Sequence, residues 1–234
     1  MRSLDIRKPA VVLIAVGLLL VGCRTNTPVN SADFLLQPGD LLLQDLDGSA
    51  LCDAIEKVTT GYQGADFTHV GIAAKDADGN FVVIEATQKG VVATGLQTFL
   101  DKSCDKSGKP KVAVGRLKPT YRHLIPSALK EAVALKGAPY DKPFVIGNDG
   151  YYCSELIYEI FLRANNNTPL FGLQPMTFID PDTGKIFDAW KDYFAELAVP
   201  VPQGQPGINP GAISRSKVLT IVHTYSPTNG WKNK

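Results

Sequence analysis

Three side chains in the sequence could together carry out nucleophilic catalysis: Cys153, His69 and Glu85. A cysteine thiolate can attack a carbonyl carbon, a histidine can take and return the proton, and a carboxylate can orient the histidine ring. Each residue also has a simpler interpretation. Buried cysteines are common in protein cores, and a histidine within a β-strand is more often a half-buried structural residue. The pattern of the surrounding residues therefore has to decide between these interpretations.

Cys153 lies at the start of a predicted amphipathic helix. The apolar residues after it recur with the period of an α-helix and share one face: Leu156, Ile157, Ile160, Phe161 and Ala164. Asp149-Gly150 supplies the preceding loop and a possible cap. Unpaired amides at a helix start favour the thiolate form of a cysteine. The position suits a nucleophile, although a core cysteine would show the same pattern.

His69 and Glu85 fall in two β-rich runs joined by a segment of aspartate, glycine and asparagine at 76–80, which is typical of a β-hairpin. A turn centred on Ala77 places His69 directly opposite Glu85, on the same face of the sheet. Glu85 is the one charged residue of its run, and an acid in an apolar strand usually has a partner. The hairpin therefore predicts a hydrogen bond between the imidazole and the carboxylate.

Four short motifs, in this order, resemble those of the YiiX/YaeF-type permuted NlpC/P60 enzymes: Gly39-Asp40-Leu41-Leu42, Thr68-His69-Val70-Gly71-Ile72, Tyr140-Asp141 and Tyr152-Cys153-Ser154-Glu155-Leu156. These enzymes are papain-like amidases in which circular permutation places the histidine before the cysteine. The resemblance covers the chain from about Gly39 to the last strand. It implies Cys153 as nucleophile, His69 as general base and then acid, and Glu85 as the orienting residue. It also implies a papain-like α+β fold, with an antiparallel sheet or half-barrel packed against helices.

The resemblance leaves the oxyanion site partly open. The backbone amide of Cys153 is one candidate donor, because amides at a helix start point towards developing negative charge. Gln44, at the end of the first strand, and Tyr140 are candidates for the second donor. Glu155 belongs to the cysteine motif but faces a different side of the helix, so we expect a structural role for it.

The chain after its N-terminal segment predicts one domain of the α+β class. Strand-like runs lie at 40–44, 68–74, 81–86, 111–117 and 218–222, and helix-like runs at 49–60, 127–136, 153–164 and 185–197. The Pro/Gly-rich segment 208–215 is predicted to be a loop. Helices and antiparallel strands in separate runs indicate α+β.

The first 22 residues have the composition of a signal peptide, with a basic start and an apolar run too short for a membrane span. Leu20-Val21-Gly22-Cys23 resembles the bacterial lipobox, which implies a lipid anchor on Cys23 and a place in the cell envelope, with the outer membrane facing the periplasm favoured. The alternative is an ordinary secretory signal with a chance cysteine. Residues 23–32 are then the tether, and 33–234 the catalytic domain.

The remaining composition limits the partners. Cys52 and Cys104 could form a disulfide, although the sequence does not fix their distance. Without a CxxC pair, and with three dispersed histidines, neither a metal site nor a cofactor is expected. The 24 basic and 23 acidic residues nearly balance and form no basic cluster, so nucleic acid is not an expected partner. The sequence does not indicate an oligomeric state.

These features predict a hydrolase that cleaves an amide bond through an acyl-thioester intermediate. The envelope anchor suggests a cell-wall (peptidoglycan) peptide as substrate, because related NlpC/P60 enzymes cut such peptides. Two alternatives remain open. One is an acyltransferase or lipid-ester hydrolase with the same three residues, and the other is a non-catalytic lipoprotein that binds a peptide or an amino acid.

Overall fold

The structure is a computed structural model that describes residues 34–232. Its strands are β1 (Leu41–Gln44), β2 (His69–Lys75), β3 (Phe81–Thr87), β4 (Gly90–Gly95), β5 (Val112–Leu117), β6 (Gln174–Pro175), β7 (Pro206–Gly207) and β8 (Leu219–Thr224). Six of them form one antiparallel sheet in the order β4-β3-β2-β1-β5-β8, while β6 and β7 pair separately. The neighbours of β2 in this sheet are therefore β1 and β3.

Helices surround this sheet: α1 (Ala50–Val58), α2 (Leu96–Leu100), α3 (Ile125–Ala134), α4 (Cys153–Ala164), α5 (Asp188–Glu196) and α6 (Pro210–Ser214). Two 3₁₀ helices span Tyr62–Gly64 and Pro119–Leu124. Within residues 34–232, no helix has the length and apolar character needed to cross a membrane. The predicted α+β class is confirmed.

The sheet separates two apolar cores because successive side chains of a strand point to opposite faces. On one face, Leu41, Val70 and Ile72 lie in the same buried cluster as Leu156 and the other apolar residues of α4. On the other face, the alternate positions of the strands form a second cluster with Phe99 and its neighbours in α2. The helix that carries the cysteine therefore packs on one side of the sheet, and the short α2 packs on the other.

Most predicted elements are present, with ends shifted by a few residues, but several assignments differ. The predicted loop at 208–215 contains α6, which begins at Pro210 after Asn209, whose side chain accepts a hydrogen bond from the Ala212 amide at 2.8 Å. An asparagine cap followed by proline is a helix-start signal, and the Pro/Gly content concealed it. Helix α2 and strands β4, β6 and β7 were not predicted at all.

The hairpin of β2 and β3 forms, but its predicted register is wrong. Ile72 pairs with Ile84 and Lys75 with Phe81, so the turn is centred on Asp78 rather than on Ala77. The register moves by two residues, which preserves the face of every side chain. Gly71 therefore stands opposite Glu85, and His69 is its diagonal neighbour on the same face.

Gly71 leaves the space next to Glu85 open. A β-carbon at this position would lie 2.4 Å from Cγ1 of Val83 and 3.2 Å from the β-carbon of Glu85. The first distance is far inside van der Waals contact, so a side chain here would force the hairpin to move.

We expect Gly71→Ala to lower the free energy of unfolding by about 1–3 kcal/mol, the usual cost of overpacking a buried site. Urea unfolding measures the effect. Gly172→Ala is the control, because a β-carbon there would meet nothing within 4 Å. Equal stability of the two variants would show that Val83 and Glu85 adjust without cost.

Candidate active site

Cys153 is the first residue of α4, and a buried acid holds the start of this helix in place. The side-chain carboxyl group of Glu155 accepts hydrogen bonds from the amides of Tyr152 and Gly147, both at 3.3 Å. Burial, with a smaller contribution from the nearby Asp141 carboxyl, raises the pKa of Glu155 to about 8. Glu155 thus fixes the backbone at the helix start on which the cysteine sits.

The predicted contact between His69 and Glu85 is present. Nε2 of His69 lies 2.5 Å from Oε2 of Glu85, whose side chain is fully buried. The other carboxylate oxygen accepts hydrogen bonds from the Thr94 hydroxyl and the Lys102 ammonium, each at 2.5 Å. Burial disfavours the charged carboxylate, but the hydrogen bonds and charges of these partners outweigh it and lower the pKa of Glu85 to about 2. The group is therefore ionised throughout the neutral range.

The ring of His69 also contacts Cys153. Burial disfavours the imidazolium, yet the hydrogen bonds to the Cys153 thiol and to Glu85 outweigh it and raise the pKa of His69 to about 9. Since Nε2 is hydrogen-bonded to Glu85, Nδ1 is the ring nitrogen available to the sulfur of Cys153. The ring packs against Phe99 of α2, with centroids 5.9 Å apart. His69 is the first residue of β2, and at this end of the sheet its ring meets groups from both faces.

The sulfur-bearing residue lies on the wall of a cavity of about 370 Å³. Apolar and aromatic residues of the lining include Leu51, Ile55, Val58, Phe144, Met176, Phe178, Trp190 and Ile208. Hydroxyl and amide side chains also line the cavity: Thr59, Thr60, Thr68, Ser154, Gln174, Thr177 and Asn209. Cys153 is 8% exposed, so it is a core residue that still borders open space. Cys153 is therefore placed where a ligand in this cavity would lie next to it.

The two candidates for the second oxyanion donor are in different places. Tyr140 lines the cavity, and burial, followed by the charge of Cys153, raises its pKa. Gln44 is fully buried and stands opposite His69 in the pairing of β1 with β2. Its side-chain amide donates a hydrogen bond to the Phe99 carbonyl at 2.8 Å, and Gln44 does not line the cavity. The structure therefore brings Cys153, His69 and Tyr140 to one site and leaves the Gln44 amide outside it.

Lys102 and Thr94 were not recognised in the sequence. Lys102 follows α2, and its side chain is 33% exposed, so its charge alone gave no reason to place it beside a buried acid. Thr94 lies in the unpredicted strand β4. The lone acid in an apolar strand signalled that partners exist, but only the fold identifies them.

The residues of the predicted signal peptide and tether, including the predicted lipidation site Cys23, lie outside the described residues. Cys52 is a free thiol that accepts a hydrogen bond from the Ser49 hydroxyl at 3.1 Å. The disulfide considered between Cys52 and Cys104 is therefore not formed.

Among residues 34–232, Asp45, Asp47 and Glu56 are close enough to ligate a cation together. The ammonium of Lys111 already lies 3.1 Å from Asp45 and 2.5 Å from Asp47. Burial and the neighbouring acids raise the pKa of Glu56 to about 7, so a proton competes with any cation for this carboxyl at neutral pH. Lys111 supplies positive charge to Asp45 and Asp47, so these two acids are paired without a cation.

The fold and the site define a papain-like protein with a cysteine at a helix start and a histidine on the sheet. The chain belongs to the permuted papain-like amidase family of the YaeF/YiiX type, whose pattern matches residues 35–223. A solved structure, described as that of the metalloprotein yiiX from Escherichia coli O157:H7, is similar in fold, with a TM-score of 0.67 and 22% sequence identity over 83% of this chain and 100% of that one. No curated protein matches. The predicted family and its papain-like fold are confirmed.

We expect Lys102→Gln to lower the free energy of unfolding by about 1 kcal/mol at neutral pH, since a partly exposed ion pair contributes little more than that. Folding lowers the pKa of Glu85 to about 2. Its contribution to stability is therefore complete at a pH above its pKa in the unfolded chain, and it is lost as the pH falls through about 2. The difference between variant and wild type should therefore shrink as the solution is acidified. Urea unfolding across this pH range measures it.

Lys106→Gln is the matched control, because this exposed lysine of the same segment forms no ion pair within the described part of the chain. A loss of stability that is equal in both variants, or independent of pH, would contradict the role given to Lys102.

Proposed function

We propose that the protein is a cysteine hydrolase that cleaves an amide bond through an acyl-thioester on Cys153. The observation that carries this proposal is the continuous contact from the buried Glu85 through the His69 ring to Cys153, which ends at the cavity wall. A structural cysteine requires neither a charged partner nor access to a cavity. The anchor at Cys23 and a location in the cell envelope are part of the proposal and rest on the sequence.

The proposed reaction begins with a proton on the ring. With its pKa raised to about 9, His69 is protonated at neutral pH and favours a thiolate on Cys153. The sulfur attacks the substrate carbonyl carbon, a C–S bond forms, and the negative charge moves to the carbonyl oxygen. The amide of Cys153 at the helix start is a donor for that oxygen, and Tyr140 is the candidate for a second.

Collapse of this intermediate breaks the C–N bond, and His69 gives its proton to the departing amine nitrogen. Water then attacks the thioester carbon while His69 takes a proton from it. The C–S bond breaks, the carboxylic acid leaves, and the thiolate–imidazolium pair is restored. Glu85 keeps the ring oriented and stabilises its positive charge in both halves of the reaction.

Alkylation by iodoacetamide tests whether Cys153 is activated. We expect Cys153 to react at least about tenfold faster than Cys52 at neutral pH, because thiolates and not thiols are the reactive form. His69→Ala should slow the alkylation of Cys153 and leave that of Cys52 unchanged. Mass spectrometry of the peptides measures both rates in one sample. Equal rates at the two thiols would leave the non-catalytic binding role as the better interpretation.

The family and the surroundings of the thiol support two candidate substrates. A cell-wall peptide is the substrate that the sequence favours, and the family supports an amide as the bond cleaved. The apolar lining of the cavity favours a second candidate, the hydrolysis or transfer of a lipid acyl group by the same residues. Apolar walls gain from contact with hydrocarbon, whereas the hydroxyl and amide groups of the lining suit a peptide.

Incubation with purified muropeptides and, separately, with phospholipid vesicles distinguishes the two candidates. Release of amine or peptide from muropeptides supports the first, and release of fatty acid supports the second. Cys153→Ala should abolish either activity, with at least about a thousandfold loss, because the nucleophile is removed. Turnover that survives in Cys153→Ala would refute the mechanism whatever the substrate.

A further inference from the structure

Glu85 lies between two cationic groups, and each of its oxygens contacts one of them. Oε2 lies 2.5 Å from Nε2 of His69, while Oε1 accepts hydrogen bonds from Nζ of Lys102 and from the Thr94 hydroxyl, each at 2.5 Å. The Glu85 side chain is fully buried, and that of Lys102 is 33% exposed. When His69 is protonated, one buried carboxylate therefore compensates two positive charges, and each cation weakens the stabilisation that the carboxylate gives to the other.

An aromatic side chain also holds the ammonium of Lys102 near the imidazole. Nζ of Lys102 lies 5.4 Å from the centre of the Phe99 ring, and this ring packs against that of His69, with centroids 5.9 Å apart. The charged and titratable groups that face the pair are Cys153 from α4, which contacts His69, and Lys102, which contacts Glu85. The sulfur and the ammonium are thus the two groups that can change how firmly the imidazole holds its proton.

The proposed reaction needs the His69 ring in both protonation states. Burial disfavours the imidazolium, and the contacts that outweigh burial come from Cys153 and Glu85. In the acyl-enzyme the sulfur is bonded to the acyl carbon and carries no charge, so Glu85 is the group that still favours the imidazolium. His69 must nevertheless be neutral at this stage, because only the neutral ring can take a proton from the attacking water.

We propose that Lys102 is a positioning residue for the second half of the reaction. It shares the charge of Glu85, so that this carboxylate orients the ring without keeping a proton on it once the thiolate is gone. This role rests on the function proposed above, and it explains how one histidine can serve first as an acid and then as a base. Without the lysine, the undivided charge of Glu85 would favour the imidazolium, and the acyl-thioester would persist.

Titration of His69 by NMR tests this role in a protein that lacks the sulfur. Cys153→Ala removes the charge at this position as acylation does, and isotopic labelling of histidine gives a ring signal for each of the three histidines in the sequence. The signal of His69 is the one that His69→Ala removes. In the Cys153→Ala background, we expect Lys102→Met to move the midpoint of the His69 titration upwards by about 0.5–1 in pH, because a partly exposed charge beside the carboxylate is lost.

Lys102→Arg should leave the midpoint close to that of the Cys153→Ala protein, because arginine keeps the charge. Lys106→Met is the matched control, since it removes the same charge from an exposed lysine of the same segment that forms no ion pair within residues 34–232. A merely structural lysine would alter stability and leave the midpoint unchanged. A midpoint that stays or falls in Lys102→Met, or that rises as much in Lys106→Met, would overturn the inference.

Hydrolysis of p-nitrophenyl acetate tests the same role in the full-length protein with Cys153 intact. Attack by the thiolate forms the C–S bond and breaks the ester C–O bond, which releases p-nitrophenolate in a burst. Water then breaks the C–S bond, releases acetate and restores the thiolate. We expect Lys102→Met to keep the burst and to lower the steady-state rate about three- to tenfold at neutral pH, the factor by which the neutral fraction of the ring falls. The rate should recover at higher pH and in Lys102→Arg, with Cys153→Ala as the blank.

The two proposals can fail separately. If Cys153 shows neither a burst nor preferential alkylation, while the His69 midpoint still depends on Lys102, the hydrolase proposal fails and the electrostatic role of Lys102 stands. If the burst appears but Lys102→Met changes neither the midpoint nor the steady-state rate, the hydrolase proposal stands and Lys102 only stabilises the fold.

Discussion

A charged carboxylate inside an apolar sheet is the constraint on which the site depends. Glu85 is fully buried, and a buried charge requires hydrogen-bond donors or cations that compensate for its lost hydration. Three donors meet this need, and each comes from a different part of the fold: His69 from β2, Thr94 from β4 and Lys102 from the segment after α2. By satisfying Glu85 they also hold the His69 ring in one orientation, with its second nitrogen left for the sulfur. The stability of the sheet and the geometry of the site therefore depend on the same contacts.

Helix α4 serves the core and the site at once. Its apolar face is buried against the sheet, and this packing fixes where the helix begins. Because Glu155 accepts hydrogen bonds from the amides of Gly147 and Tyr152, the start of the helix is tied to the loop before it. Cys153 consequently lies on the boundary between core and cavity. A thiol one turn further along the same face would be sealed in hydrocarbon and could not meet a substrate.

Local pattern predicted much of this arrangement. The helical spacing after Cys153 and the hairpin around His69 and Glu85 follow from periodicities that depend only on neighbouring residues. The register was wrong by two residues because the turn is set by hydrogen bonds from the Asp78 and Asn80 amides to the Asp76 side chain, which a count of residues does not show. The contact survived this error because a shift of two returns each side chain to its own face.

The sequence by itself determined the chemistry available: a cysteine at a helix start, a histidine on a strand and an acid on the neighbouring strand, in the permuted order of the family. Tertiary structure decided which other groups join them. Lys102 reaches Glu85, Gln44 is engaged by Phe99, and Arg215 borders the cavity, although all are distant in the chain from the residues they meet. Contacts of this kind depend on how helices and loops pack against the sheet. Because the free energy of that packing is spread over the whole core, no local sequence pattern predicts these contacts.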